Sequence, residues 1–194
     1  GGSRGPSPAD PLAGHLFLGP PLPVGGVVFA VTESQRELCL VKLEAATGRV
    51  MWIQRFGLVE QSVFDDEQTH RAMASYLPAF SDGLVICPTG SGLVVAVDAL
   101  FGEIAWAAHC GEFATAGLRG SSTTISKRPY GSPGFPSPPT IHGDAVVYLP
   151  KVSNQVHCLS LSTGSRVWRA PRLDALYVGS VTDQGVLVIG ENRM

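Results

Sequence analysis

Between Phe64 and His70 the chain reads FDDEQTH, which puts Asp65, Asp66, Glu67 and His70 in one short run. Carboxylates grouped in this way could hold a hard cation. The run lacks the glycine turn and the alternating acidic spacing of a calcium loop, so it reads as a solvated acidic loop or helix start. Two His-Cys dipeptides, His109-Cys110 and His157-Cys158, carry the ligand types that zinc uses. Neighbouring residues on a strand point to opposite faces, and the two dipeptides fall in different strand-like runs, so no metal is expected from them. The segment PTGSG at 88–92 holds glycine and serine, but it lies between two strand-like runs with no helix after it. It reads as a tight hairpin, and no GxSxG nucleophile elbow is present. Arg166, Arg169 and Arg172 flank Trp168 in SRVWRAPR and read as a solvated strand edge, where charge discourages edge pairing.

The elements that would position these groups come from a repeat. EAATGRVMW at 44–52, DALFGEIAW at 98–106 and SLSTGSRVW at 160–168 each place a glycine four residues ahead of a tryptophan. The pairs are Gly48 and Trp52, Gly102 and Trp106, and Gly164 and Trp168, and the chain contains no other tryptophan. Each motif has a matching upstream half. A turn residue opens a short apolar run (GGVVFAV at 25–31, DGLVICP at 82–88, GDAVVYLP at 143–150), and a second apolar run leads into the glycine. The runs are rich in Val, Ile, Leu, Phe and Tyr and are of strand length. A proline-bearing stretch precedes each first run, which suits an edge or a strand start.

Each unit therefore predicts four short antiparallel strands, with the tryptophan on the fourth. A glycine suits the third turn because positive φ penalises a Cβ. Repeated four-stranded units predict an all-β fold, a β-propeller of about three complete blades plus a partial one. The expected division is an N-terminal tail at 1–19, blades at 20–56, 75–109 and 137–172, and a partial blade at 173–194. An inter-blade insertion at 57–74 and a Gly/Ser/Pro-rich loop at 110–136 separate the blades. The tryptophans are expected on the outermost or near-outermost strand, packed near the sheet of an adjacent blade.

Composition agrees with this division. Of 194 residues, 23 are Gly and 15 are Pro, which fits many short strands joined by turns. Charged residues are only 15%, and the net charge of −2 argues against a basic nucleic-acid footprint. No run of 18 apolar residues occurs, so no transmembrane helix is expected. The opening GGSRGPSPADPLAG has no basic region followed by an apolar stretch. Cys39, Cys87, Cys110 and Cys158 allow three full pairings, which sequence cannot choose among; the apolar, strand-like settings of Cys39, Cys87 and Cys158 favour buried free thiols for those three.

LVKLEAATGRVMW, VVAVDALFGEIAW and VHCLSLSTGSRVW resemble the repeat of the quinoprotein-like (PQQ-like) propeller family, and the resemblance spans most of 20–194. More narrowly, the chain is similar to large secreted or envelope propeller proteins of planctomycete-type bacteria. Phe101 stands in place of the usual Thr and Ser160 in place of the usual Asp, which should weaken a turn contact without changing the spacing. The family usually has seven or eight blades, so the resemblance implies a piece of a longer protein, completed by further blades. It also implies a periplasmic, envelope-associated or secreted location. Quinoprotein dehydrogenases hold quinone and calcium in a central funnel, in many cases with an adjacent Cys-Cys pair and an acidic base. No Cys-Cys occurs here, and no acidic residue matches that base. The expectation is a non-catalytic binding or scaffolding module with no catalytic, cofactor or metal residues and a protein or envelope component as partner. The alternatives are a fragment of a quinoprotein oxidoreductase and an extracytoplasmic sensor domain.

Overall fold

The computed structural model describes residues 10–58, 76–111, 138–150 and 153–190. The acidic run at 65–70 and nearly all of the Gly/Ser/Pro-rich loop lie outside the described residues. Every regular element described is a strand. β1 (Leu16–Phe17), β2 (Leu22–Val24), β3 (Val27–Ser34), β4 (Glu37–Glu44) and β5 (Val50–Leu58) form the first sheet. β6 (Ala79–Ser81), β7 (Leu84–Pro88), β8 (Leu93–Asp98) and β9 (Ile104–His109) form the second. β10 (Thr140–His142), β11 (Ala145–Tyr148), β12 (Gln155–Ser160) and β13 (Arg166–Pro171) form the third. β14 (Ala175–Thr182) pairs with β15 (Gly185–Gly190). All pairings are antiparallel; the second and third sheets follow chain order, as propeller blades do, and so does the first from β3 onward.

The first sheet reaches back into the stretch expected to be a tail. β1 and β2 both pair with β3, Leu16 opposite Glu33 and Leu22 opposite Phe29. Pro20 and Pro21 lie between them, where the missing backbone N–H groups stop one long edge strand from forming.

Side chains from successive sheets meet in three apolar layers. Phe29, Val31, Leu38 and Leu40 of the first sheet face Val85, Cys87, Val95 and Val97 of the second. Ile86, Val94, Ala96 and Trp106 of the second face Val146, Tyr148, Leu159 and Leu161 of the third. Val147, Val156 and Cys158 of the third face Ala175 and Val178. The alternation of strand side chains explains the pattern: odd-numbered residues of β8 pack backwards and even-numbered ones forwards. All four cysteines are buried free thiols, which resolves the three possible pairings in favour of none.

The third turn of each blade repeats to the bond. Gly48, Gly102 and Gly164 have φ of 72°, 79° and 70°. Each donates its N–H to the carbonyl four residues back, on Glu44, Asp98 and Ser160, at 2.8–2.9 Å. The expected weakening at Ser160 is offset from outside the turn. Asp144 accepts from Ser162 N and from Ser160 Oγ, both at 2.8 Å, and these bonds hold its carboxyl below the usual range. In the second blade Asp98 Oδ1 accepts from Leu100 N and Phe101 N, so Phe101 needs no hydroxyl there.

Candidate functional site

All three tryptophans lie on the strand that closes its sheet: Trp52 on β5, Trp106 on β9 and Trp168 on β13. Each sits just past a β-bulge. The pairing slips between Lys42 and Leu43, between Ala96 and Val97, and between Cys158 and Leu159. The extra residue is Met51, Ala105 or Val167. By inserting one residue, the bulge turns the tryptophan toward the following blade, while the residue two positions earlier faces the preceding one.

The ring then lands on the glycine of the next blade. A Cβ on Gly102 would stand 2.9 Å from the Trp52 ring, and one on Gly164 would stand 2.5 Å from the Trp106 ring. Real Cβ contacts are not this short, so each glycine does two jobs: it takes positive φ and leaves space for an indole. Gly48 has nothing within 4 Å of its Cβ position, and Trp168 remains 37% exposed. Trp106, only 9% exposed, donates Nε1–H to Leu161 O at 2.7 Å.

A cleft of about 550 Å³ opens between the second and third blades, lined by His109, Gly111, Ser153, Gln155, His157, Arg166 and Arg169. His157 is 3% exposed and its Nε2 lies 3.1 Å from the hydroxyl of the buried Ser153. That same hydroxyl accepts the Gln155 N–H at 3.1 Å. Arg166 Nη2 donates to His109 O at 3.2 Å, which ties the third blade's edge to the second blade's backbone. Arg169 stands directly opposite His157 in the β12–β13 pairing.

The His-Cys dipeptides split as alternation requires. Cys110 and Cys158 enter two different apolar layers, while His109 and His157 both reach the cleft. Burial pushes the Cys110 thiol up to about 11. The two histidines line one cleft because the facing surfaces of consecutive blades meet, an arrangement invisible to a strand-by-strand reading. The arginine stripe also divides. Arg166 and Arg169 line the cleft, whereas Arg172 is not on a solvated edge: it is half-buried, donating Nε–H to Ala175 O at 2.8 Å and Nη1–H to Pro150 O at 3.2 Å. PTGSG forms the β7–β8 hairpin, with Thr89 Oγ1 accepting Leu93 N–H at 3.0 Å. Among the described residues no three of His, Cys, Asp and Glu converge as a metal site would need. No helix among them is long and apolar enough to cross a membrane.

Residues 7–175 match the family model described as outer membrane protein assembly factor BamB. The chain belongs to that family. The match covers the three full blades with their tryptophan strands. Among solved structures, BamB from Moraxella catarrhalis is similar at 17% identity and TM-score 0.55, over 90% of this chain and 47% of that one. A europium-containing methanol dehydrogenase shares the fold at 16% identity and TM-score 0.51, over 81% of this chain and 26% of that one. The computationally designed Ika8 protein does so at 10% identity and TM-score 0.54, over 90% and 43%. At these identities the likeness is one of fold. The chain thus spans about half the length, or less, of these solved propellers. No curated protein matches the sequence.

Proposed function

We propose that this PQQ-like propeller chain is a non-catalytic module that binds or scaffolds a protein or another envelope component, in the bacterial envelope or outside the cell. The observation that carries this reading is the commitment of the repeat residues to packing. Trp52 and Trp106 are spent on seating one blade against the next. In this reading Gly48, Trp52, Gly102, Trp106, Gly164 and Trp168 are structural residues without catalytic, cofactor or metal roles. The family supports it further, because it is the family of an outer membrane protein assembly factor. A propeller fold alone carries no activity, so likeness to a dehydrogenase adds scaffold and not chemistry.

Titration with pyrroloquinoline quinone and calcium, followed by tryptophan fluorescence, tests the absence of catalysis. The expected outcome is no saturable quenching and no alcohol-dependent dye reduction. Saturable micromolar binding together with dye reduction would replace this reading with the oxidoreductase one. For location, the full reading frame should fractionate with the envelope or the medium; recovery from the cytoplasm would overturn that half of the proposal.

A further inference from the structure

The three repeats act as internal controls for one another, and one blade breaks the pattern at a single place. The residues opposite the tryptophans are Lys42, Ala96 and Cys158, which fixes the alignment of the blades. Just before them come Val41, Val95 and His157, buried in all three cases. Just after the tryptophans come Ile53, Ala107 and Arg169, and two residues past the glycines come Val50, Ile104 and Arg166. At these three positions the first two blades carry only apolar side chains. The third blade carries one histidine and two arginines.

The fold brings all three to one place. The bulge at Cys158–Leu159 sets Arg166 opposite Leu159 and Arg169 opposite His157, so both face the second blade. Without the bulge, two strand residues three apart would point to opposite faces. Burying a histidine where a valine would serve costs free energy unless its polar atoms are used. Here it is held by Ser153 at 3.1 Å on the floor of a cleft of about 550 Å³. Among the described residues no Asp or Glu lines that cleft, and neither arginine makes an ion pair. Arg166 spends one N–H on His109 O, and among the described residues the Arg169 fork makes no ion pair.

We propose that the cleft between the second and third blades, built from Arg166, Arg169, His157 and Ser153, binds a small-molecule oxyanion, a carboxylate or phosphate group. A planar guanidinium offers paired N–H donors that match either group, and a cleft of this size holds a small organic acid or phosphorylated metabolite. The site is separate from the question of quinone chemistry: a failed anion titration would leave the scaffold reading standing, and quinone turnover would leave this site untouched.

The test is isothermal calorimetry of the 194-residue chain with inorganic phosphate and, separately, with citrate, each against chloride at matched ionic strength. Saturable heat is expected with at least one of the two oxyanions and none with chloride. The anion that saturates at lower concentration tells phosphate from carboxylate. Arg169→Gln and Arg166→Gln, both on exposed side chains, should each weaken binding about tenfold; Arg169→Gln should leave Tm unchanged, whereas Arg166→Gln also loses the bond to His109 O and should lower Tm slightly. His157→Val installs the residue that both other blades carry; it should fold normally and also bind more weakly. Equal response to chloride, no saturation with either oxyanion, or unchanged binding by the double arginine variant would overturn the proposal.

Discussion

At the joint between the second and third blades, the Trp106 indole donates to Leu161 O at 2.7 Å. At the joint between the first and second, the equivalent carbonyl, Ala99 O, is taken at 2.7 Å by Lys42 Nζ instead. The Trp52 Nε1 that would have reached it is buried with no hydrogen-bond partner among the described residues. Lys42 sits opposite Trp52 in the sheet, where the second blade has Ala96 opposite Trp106. Alanine cannot reach across to the next blade, so there the indole does. Lys42 can, and its Nζ also lies 5.8 Å from the ring centres of both Phe29 and Trp52. The acceptor is the fixed part of the joint. The carbonyl three residues before the seating glycine is paired in both joints, and either donor can do it.

The largest way to break this comparison is to remove a ring. Trp106→Ala deletes the apolar plug and the donor together and should cost about 3–5 kcal/mol in urea denaturation. Trp52→Ala should fall at the low end of that range, because no hydrogen bond goes with the ring. Equal losses would mean that the indole bond contributes nothing.

The seats come next. Gly164→Ala meets the Trp106 ring at 2.5 Å as well as positive φ, and should cost about 3 kcal/mol. Gly102→Ala, at 2.9 Å from Trp52, should cost about 2 kcal/mol, and Gly48→Ala, with open space around it, about 1 kcal/mol from backbone strain alone. The order of the three midpoints is the measurement. A Gly48→Ala loss as large as that of Gly164→Ala would show that the turn matters and the seat does not.

Replacing indole by phenyl isolates the donor. Trp106→Phe leaves Leu161 O without its partner, and should cost about 1 kcal/mol more than Trp52→Phe, where Lys42 still serves Ala99 O. A double variant with Lys42→Met and Trp52→Phe should recover that difference.

The smallest effect is a rate. Cys87 packs in the first joint and Cys110 in the second, and burial raises both thiols, so neither is a thiolate at pH 8. In the native chain, labelling by Ellman's reagent should wait for local opening. Trp106→Phe should speed Cys110 labelling and leave Cys87 unchanged, as read by peptide mass mapping. Equal acceleration at both would mean the joints open as one unit.

Much of this was legible from residues alone. The glycine-to-tryptophan spacing located three hairpins and the strand that closes each sheet, because turns and strand periodicity are local properties. The second job of the glycine was not legible. Positive φ is written in a turn, whereas a ring lying on Gly164 comes from a residue 58 positions earlier in the chain, Trp106. Arg166 and Arg169 read as a solvated edge, and both are exposed on the strand that closes the third sheet; their sharing of one cleft was not legible, because strict alternation would send them to opposite faces and only the bulge sets them on one side. One signal could have exposed them: aligning the blades shows His157, Arg166 and Arg169 standing where the others have only apolar residues.

Local sequence sets the unit: its four strands, its tight turns, its tryptophan and its place in the order of the chain. Those depend on φ preferences and on side chains two or four residues apart, and they would hold in any arrangement of the blades. Only the tertiary structure decided which face each side chain took and what it met. A single-residue bulge reverses the facing of everything on one side of it. The choice between Lys42 and an indole as donor, and the placing of His109 and His157 in one cleft, depend on how closely two sheets approach. That distance is set by the whole apolar layer between them, and by no short stretch of chain.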